Sequence, residues 1–156
     1  MILSTDLIAT ARELAQLHER RPRQSDLRHS ISSAHYVLFH GLAEITADRL
    51  AGATPIARQT RAWRRIYRDL SHSEAKKARR VAGQSDSPAE LLMFASAFID
   101  LQELRHQGDR DTAAPFKHCF VVDRVDEAEQ ALTALQCVAK EEQLDFITLA
   151  LGMTRS

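Results

Sequence analysis

Residues 25–50 read SDLRHSISSAHYVLFHGLAEITADRL, and this stretch decides the fold. Leu27, Ile31, Ala34, Leu38, Leu42 and Ile45 recur at steps of three and four. That spacing lines apolar side chains along one stripe of an α-helix. A long helix is therefore predicted from Ser25 to Leu50, with Gly52 behind it as a stop signal.

Upstream, Leu7, Ala11, Leu14 and Leu17 keep the same period, predicting a first helix from Asp6 to Arg20 that Pro22 ends. Downstream, Thr54 reads as an N-cap and Pro55 as the first helical residue, where a missing N–H costs nothing. Trp63, Ile66 and Leu70 give this third helix an inner face. Ser71 and Glu74 have the spacing of a capping box, so a short fourth helix is expected to start near His72. Ser87, Pro88 and Glu90 announce a fifth helix that turns Leu91, Ala95 and Phe98 inward, and Gly108 opens a loop running to Pro115. Asp123 is expected to cap a last long helix carrying Val125, Ala128, Leu132, Leu135 and Ala139, broken near Gln143 and resuming to Leu151. Cys119 to Val122 is the one short candidate strand. Residues 1–156 thus read as a single all-α domain, a bundle of five to six helices, mostly antiparallel and up-and-down.

A chain of 156 residues buries about two-thirds of its unfolded surface and needs no disulfide or metal to hold it. Cys119 and Cys137 lack CxxC spacing and read as unpaired buried thiols. No secretory leader opens the chain and no run approaches the roughly 18 apolar residues of a membrane span, so a cytoplasmic protein without membrane contact is expected. Net charge is zero but unevenly laid out: residues 58–80 hold nine basic side chains against two acidic ones, and residues 123–145 hold seven acids against two bases. Arg58, Arg61, Arg65 and Arg68 fall on one stripe, with Trp63 and Tyr67 nearby. Cations attract phosphates and rings stack on unpaired bases, which makes these six the candidate RNA-binding residues. The same separation of charge suits self-association or an acidic protein partner.

Three segments, LRHSISSAHYVLFHGLAE (27–44), RRIYRDLSHSEAKKA (64–78) and LQELRHQGDRD (101–111), occur in an order that resembles small HEPN-domain proteins. The resemblance implies a helical bundle that commonly forms homodimers. It implies either a metal-independent ribonuclease, often a toxin paired with an antitoxin, or a non-catalytic protein-interaction or nucleotide-binding module. Arg28, Tyr36 and His40 stand in the family's motif helix. Arg105 matches its catalytic arginine, which in active members is followed by four to six residues and then a histidine. No histidine follows at that distance in this chain; Asp109 stands four residues after Arg105, and Arg110 replaces the tyrosine of a related branch.

Leu91, Ala95, Phe98, Gln102, Arg105 and Asp109 share one stripe of the fifth helix, apolar at its start and polar at its end. In a ribonuclease, the rigid donor fork of Arg105 would hold the scissile phosphate. A base would take the 2′-OH proton, with Asp109 and His72 as the candidates. The alternative is an ordinary i, i+4 ion pair between Arg105 and Asp109. His40 is expected to form a hydrogen bond rather than to catalyse. With no HExxH motif, neither metal nor cofactor is expected.

Overall fold

The computed structural model describes residues 2–17, 20–70, 86–111, 113 and 115–151. Among them are seven α-helices: α1 (Ile2–Gln16), α2 (Gln24–Ala51), α3 (Pro55–Arg58), α4 (Arg61–Asp69), α5 (Ala89–Arg110), α6 (His118–Cys137) and α7 (Lys140–Ala150). The expected all-α bundle is what forms, and no helix among the described residues is long and apolar enough to cross a membrane.

α2 is the axis of the bundle and packs against every other helix among the described residues. Its predicted stripe is buried, but so are Val37, Phe39, Ala43 and Ala47 on its other faces. A helix walled in on all sides buries residues all round, which a single apolar stripe does not announce. Directions follow from paired contacts. Ser30 Oγ donates to the Ala11 carbonyl at 2.7 Å, while Gly41 faces Ser4, so α1 runs antiparallel to α2. Arg28 lies by Gly108 and His35 by Phe98, so α5 is antiparallel to α2 as well. Gln24 is bonded to Phe116 and Gly41 faces Leu132, so α6 runs parallel to α2. The helices α1, α2, α5 and α6 therefore alternate up and down, with α3 and α4 inserted after α2. Phe94 and Phe98 of α5 fill the centre, and Phe146 of α7 meets Phe94 edge-on at 86°.

Several element boundaries differ from the sequence reading, each for a physical reason. The third helix is two pieces. Thr54 caps α3 as expected by accepting the Ala57 N–H, and Thr60 caps α4 by accepting the Trp63 N–H at 3.2 Å. The fourth helix predicted near His72 lies outside the described residues, as do Ser71 and Glu74. Pro88 rather than Ser87 takes the N-cap position of α5, with no side-chain cap. Gly108 does not open a loop but sits inside α5, where a Cβ would come within 3.2 Å of Phe116; close packing outweighs glycine's poor helix propensity. The candidate strand at Cys119–Val122 is helical, because Val121 begins a buried i, i+4 series with Val125 that carries α6 along the core. Gln24 clamps the turn just before α6, donating to the Phe116 carbonyl and accepting its N–H. Both cysteines are free and exposed, contrary to the expected burial, since they fall at the two ends of α6.

The last helix breaks at Val138–Ala139, where the backbone is extended, and not at Gln143. Gln143 closes that break. A helix end leaves its last carbonyls without partners. The Gln143 amide is 1% exposed and donates to the Leu135 carbonyl at 2.8 Å, while its Oε1 accepts from Arg49 Nε at 2.7 Å. Gln143→Ala should destabilise the fold by about 2–3 kcal/mol, because it strands the buried Leu135 carbonyl, frees the part-buried Arg49 Nε and leaves a void. Urea unfolding measures this, and a loss under about 0.5 kcal/mol, the size of an ordinary surface change, would exclude the role.

Candidate nucleic-acid interface

Asp48 is the main polar anchor that holds the insertion of α3 and α4 against α2. Asp48 accepts from Arg58 Nε at 3.0 Å and Arg58 Nη2 at 2.7 Å, and from the Trp63 indole N–H at 2.9 Å. Glu44, 7% exposed, lies 3.4 Å from the same guanidinium. A buried carboxylate is tolerated only with such partners. Arg58 is therefore committed to the fold, and the helix break removes it from the stripe it was expected to share with Arg61, Arg65 and Arg68. Those three remain together on α4 with Arg64, all exposed.

Anchoring Trp63 fixes a ladder of rings running across α4 and α2. Trp63 stacks on Tyr67 with centroids 5.1 Å apart and planes 18° apart, and Tyr67 stacks on His40 at 5.8 Å and 20°. His40 is followed by Tyr36 at 6.1 Å, and the Arg105 guanidinium lies over the Tyr36 ring at 4.8 Å. Rings at these separations attract one another, and a cation over a ring face adds to the attraction. His40 Nδ1 and the Tyr67 hydroxyl are 2.5 Å apart, so the expected hydrogen bond of His40 is present. Burial, aided by the charge of Glu44, pushes the Tyr67 hydroxyl up to about 12, and burial lowers the His40 imidazole below its ordinary value. A protonated phenol and a neutral imidazole share this bond, whose donor is set by the imidazole tautomer.

The polar end of the α5 stripe is as expected: Leu91, Ala95 and Phe98 are buried, and the Arg105 and Asp109 side chains are 28% and 63% exposed. Arg105 Nε and Asp109 Oδ2 are 3.9 Å apart, longer than the roughly 2.7–2.9 Å of a charge-assisted hydrogen bond. The guanidinium is thus shared between the Tyr36 ring face and a loose ion pair with Asp109. Arg105, Tyr36, His40, Tyr67 and Trp63 are brought together. Arg28 is not, because it precedes Tyr36 by two turns of α2, roughly 12 Å, and sits beside Gly108. His72 lies outside the described residues.

Beneath the ladder lies His35, 0% exposed and packed on Phe98 at 5.1 Å. Neither of its ring nitrogens has a hydrogen-bond partner among the described residues. Sequence reasoning gave His35 no role, and it overlooked Asp48 and Glu44 as anchors. The Thr60-x-x-Trp63 capping spacing was the available signal for the second helix start.

On the other side of α5, two adjoining cavities of about 580 and 330 Å³ share Leu104, Gln107 and Phe120, and neither Arg105 nor Asp109 lines them. Glu103 and His106 there have the Glu-x-x-His spacing of helical metal sites, but no third ligand joins them among the described residues. No family model, curated protein or solved structure matches this chain.

Proposed function

We propose that the chain is a HEPN-like helical protein that binds single-stranded RNA across the face built by α2, α4 and α5. The ring ladder from Trp63 to Arg105, bordered by four exposed arginines of α4, is the observation that carries this reading. Unpaired bases stack on aromatic rings and guanidinium planes, while arginines track the phosphates. An acidic protein partner would account for the arginines and leave the ladder without a purpose, which is why RNA is preferred.

Binding of a fluorescein-labelled 12-nucleotide single-stranded RNA, followed by anisotropy between 50 and 200 mM salt, tests the proposal. The affinity should fall with salt at a log–log slope near −2 to −3, as expected for three or four phosphate contacts. Arg61→Glu with Arg65→Glu should weaken binding about tenfold or more and flatten that slope. Duplex RNA of the same length should bind less tightly, because its bases cannot reach the rings. Equal binding of duplex, or a double variant that binds like the parent, would contradict the proposal. Cleavage is the stronger form of the same reading, with the Arg105 guanidinium on the scissile phosphate. Arg105→Ala then abolishes product formation while the helical circular dichroism stays unchanged.

A further inference from the structure

We infer that the α3–α4 arm is a strap that lifts from α2 to admit a base between Tyr67 and His40, an inference that rests on the RNA reading above. The ladder as it stands is closed. The Trp63, Tyr67 and His40 rings stack on one another at 5.1 and 5.8 Å, the separations of rings in contact, so no third ring fits between them. An unpaired base can stack between Tyr67 and His40 only when the two part. Tyr67 is carried by α4 and His40 by α2, so one movement of the arm separates them. Trp63 rides on α4 with Tyr67 and keeps its place against that ring.

The arm is built to move as a piece. Neither α3 nor α4 contains a buried residue, whereas every other described helix contributes to the core. The two lie against α2 and each other. A segment that buries little apolar surface opens at low cost. At one end Gly52 joins the arm to α2 with φ 104°, an angle that glycine adopts freely and that suits a joint whose dihedrals change. At the other end Leu70 is 2% exposed and keeps the strap tethered. The strap therefore lifts in its middle, where Trp63 and Tyr67 are.

Polar fastenings hold it shut. Asp48 accepts from Arg58 and from the Trp63 indole, Glu44 lies 3.4 Å from Arg58, and the Tyr67 hydroxyl is 2.5 Å from His40 Nδ1. Such bonds exchange with bonds to water at modest net cost. In the lifted state they are broken, so removing one raises the open fraction and leaves the RNA-bound state unharmed. The apparent affinity then rises with that fraction. A rigid platform requires the opposite, because loosened Trp63 and Tyr67 rings hold a base less well.

Two variants of the full chain decide between them. Asp48→Asn removes the charge that pairs with Arg58, and Tyr67→Phe keeps the ring but removes the hydroxyl. Stopped-flow mixing with the same labelled single-stranded RNA follows association, with the emission of Trp63, the chain's single tryptophan, as a second signal. Each variant should associate about fivefold faster than the parent and bind about threefold more tightly. Hydrogen exchange without RNA is the independent measure: α4 amides should exchange about tenfold faster in Asp48→Asn than in the parent, with α1 and α5 unchanged. Slower association or weaker binding in both variants, or exchange that quickens equally in every helix, would overturn the strap and leave the RNA face standing. RNA bound by neither parent nor variants would overturn base admission together with the RNA reading, an outcome told apart by the exchange result, which needs no RNA.

Discussion

Lowering the pH from 7 to 4 is expected to destabilise the folded chain by about 3 kcal/mol through His35 alone. His35 is wholly buried, and its imidazole is lowered from 6.5 to about 4, first by burial and then by the charges of Arg105 and His106 on α5 and His40 on α2. In the unfolded chain the same ring takes its proton near its ordinary value. Between about 6.5 and 4 the unfolded state therefore binds more protons, and stability falls as the pH falls. Below about 4 both states are protonated and the loss levels off. His40 is shifted in the same direction and steepens the decline. His35→Leu separates the two contributions. It removes two ring nitrogens that have no partners among the described residues, so at pH 7 it should change stability by less than about 1 kcal/mol. At pH 4.5 it should be more stable than the parent by about 2 kcal/mol. Urea midpoints at both pH values decide this, and parallel pH profiles for parent and variant would show that His35 is not the acid-labile group.

Removing the two ends of the ladder should have the largest effect on RNA. Stacking of one base on an aromatic ring contributes about 1–3 kcal/mol, so Tyr36→Ala with Trp63→Ala should weaken single-stranded RNA binding about 30-fold or more. The two losses differ in kind. Tyr36 is 36% exposed, and its ring meets His35, His40 and Arg105 through ring and cation contacts. Trp63 also bonds Asp48, so its loss loosens α4 and carries a stability cost of about 1 kcal/mol that Tyr36→Ala does not share. Trp63→Phe restores the ring without the indole N–H, and should recover most of the affinity while keeping the stability loss. An affinity that follows stability and not the presence of a ring would count against stacking.

The bundle was legible because burial writes a period into the sequence. The stripe of Leu27, Ile31, Ala34 and Leu38, and that of Leu91, Ala95 and Phe98, are both buried as their spacing requires. Boundaries were legible where a side chain caps its own helix, as at Thr54, and illegible where packing after a turn makes them. Gln143 ties a break four residues upstream while bound to Arg49 of α2, and Phe116, beyond the turn, packs on the helix at Gly108. The candidate site divides the same way. Trp63, Tyr67 and the α4 arginines could be marked from composition and spacing. The ladder could not, because Tyr36, His40 and Arg105 join it only when α2, α4 and α5 pack. Arg58 looked like one more member of the basic stripe because Glu44 and Asp48, which hold it, lie on another helix.

Ultraviolet crosslinking of a uridine-rich single-stranded RNA, with the attached peptides read by mass spectrometry, tests the proposed RNA face most directly. Adducts should concentrate on Tyr36, Trp63 and Tyr67 and disappear when unlabelled single-stranded RNA competes. Adducts confined to Phe116 and Phe120, or none at all under conditions where the RNA is bound, would contradict it.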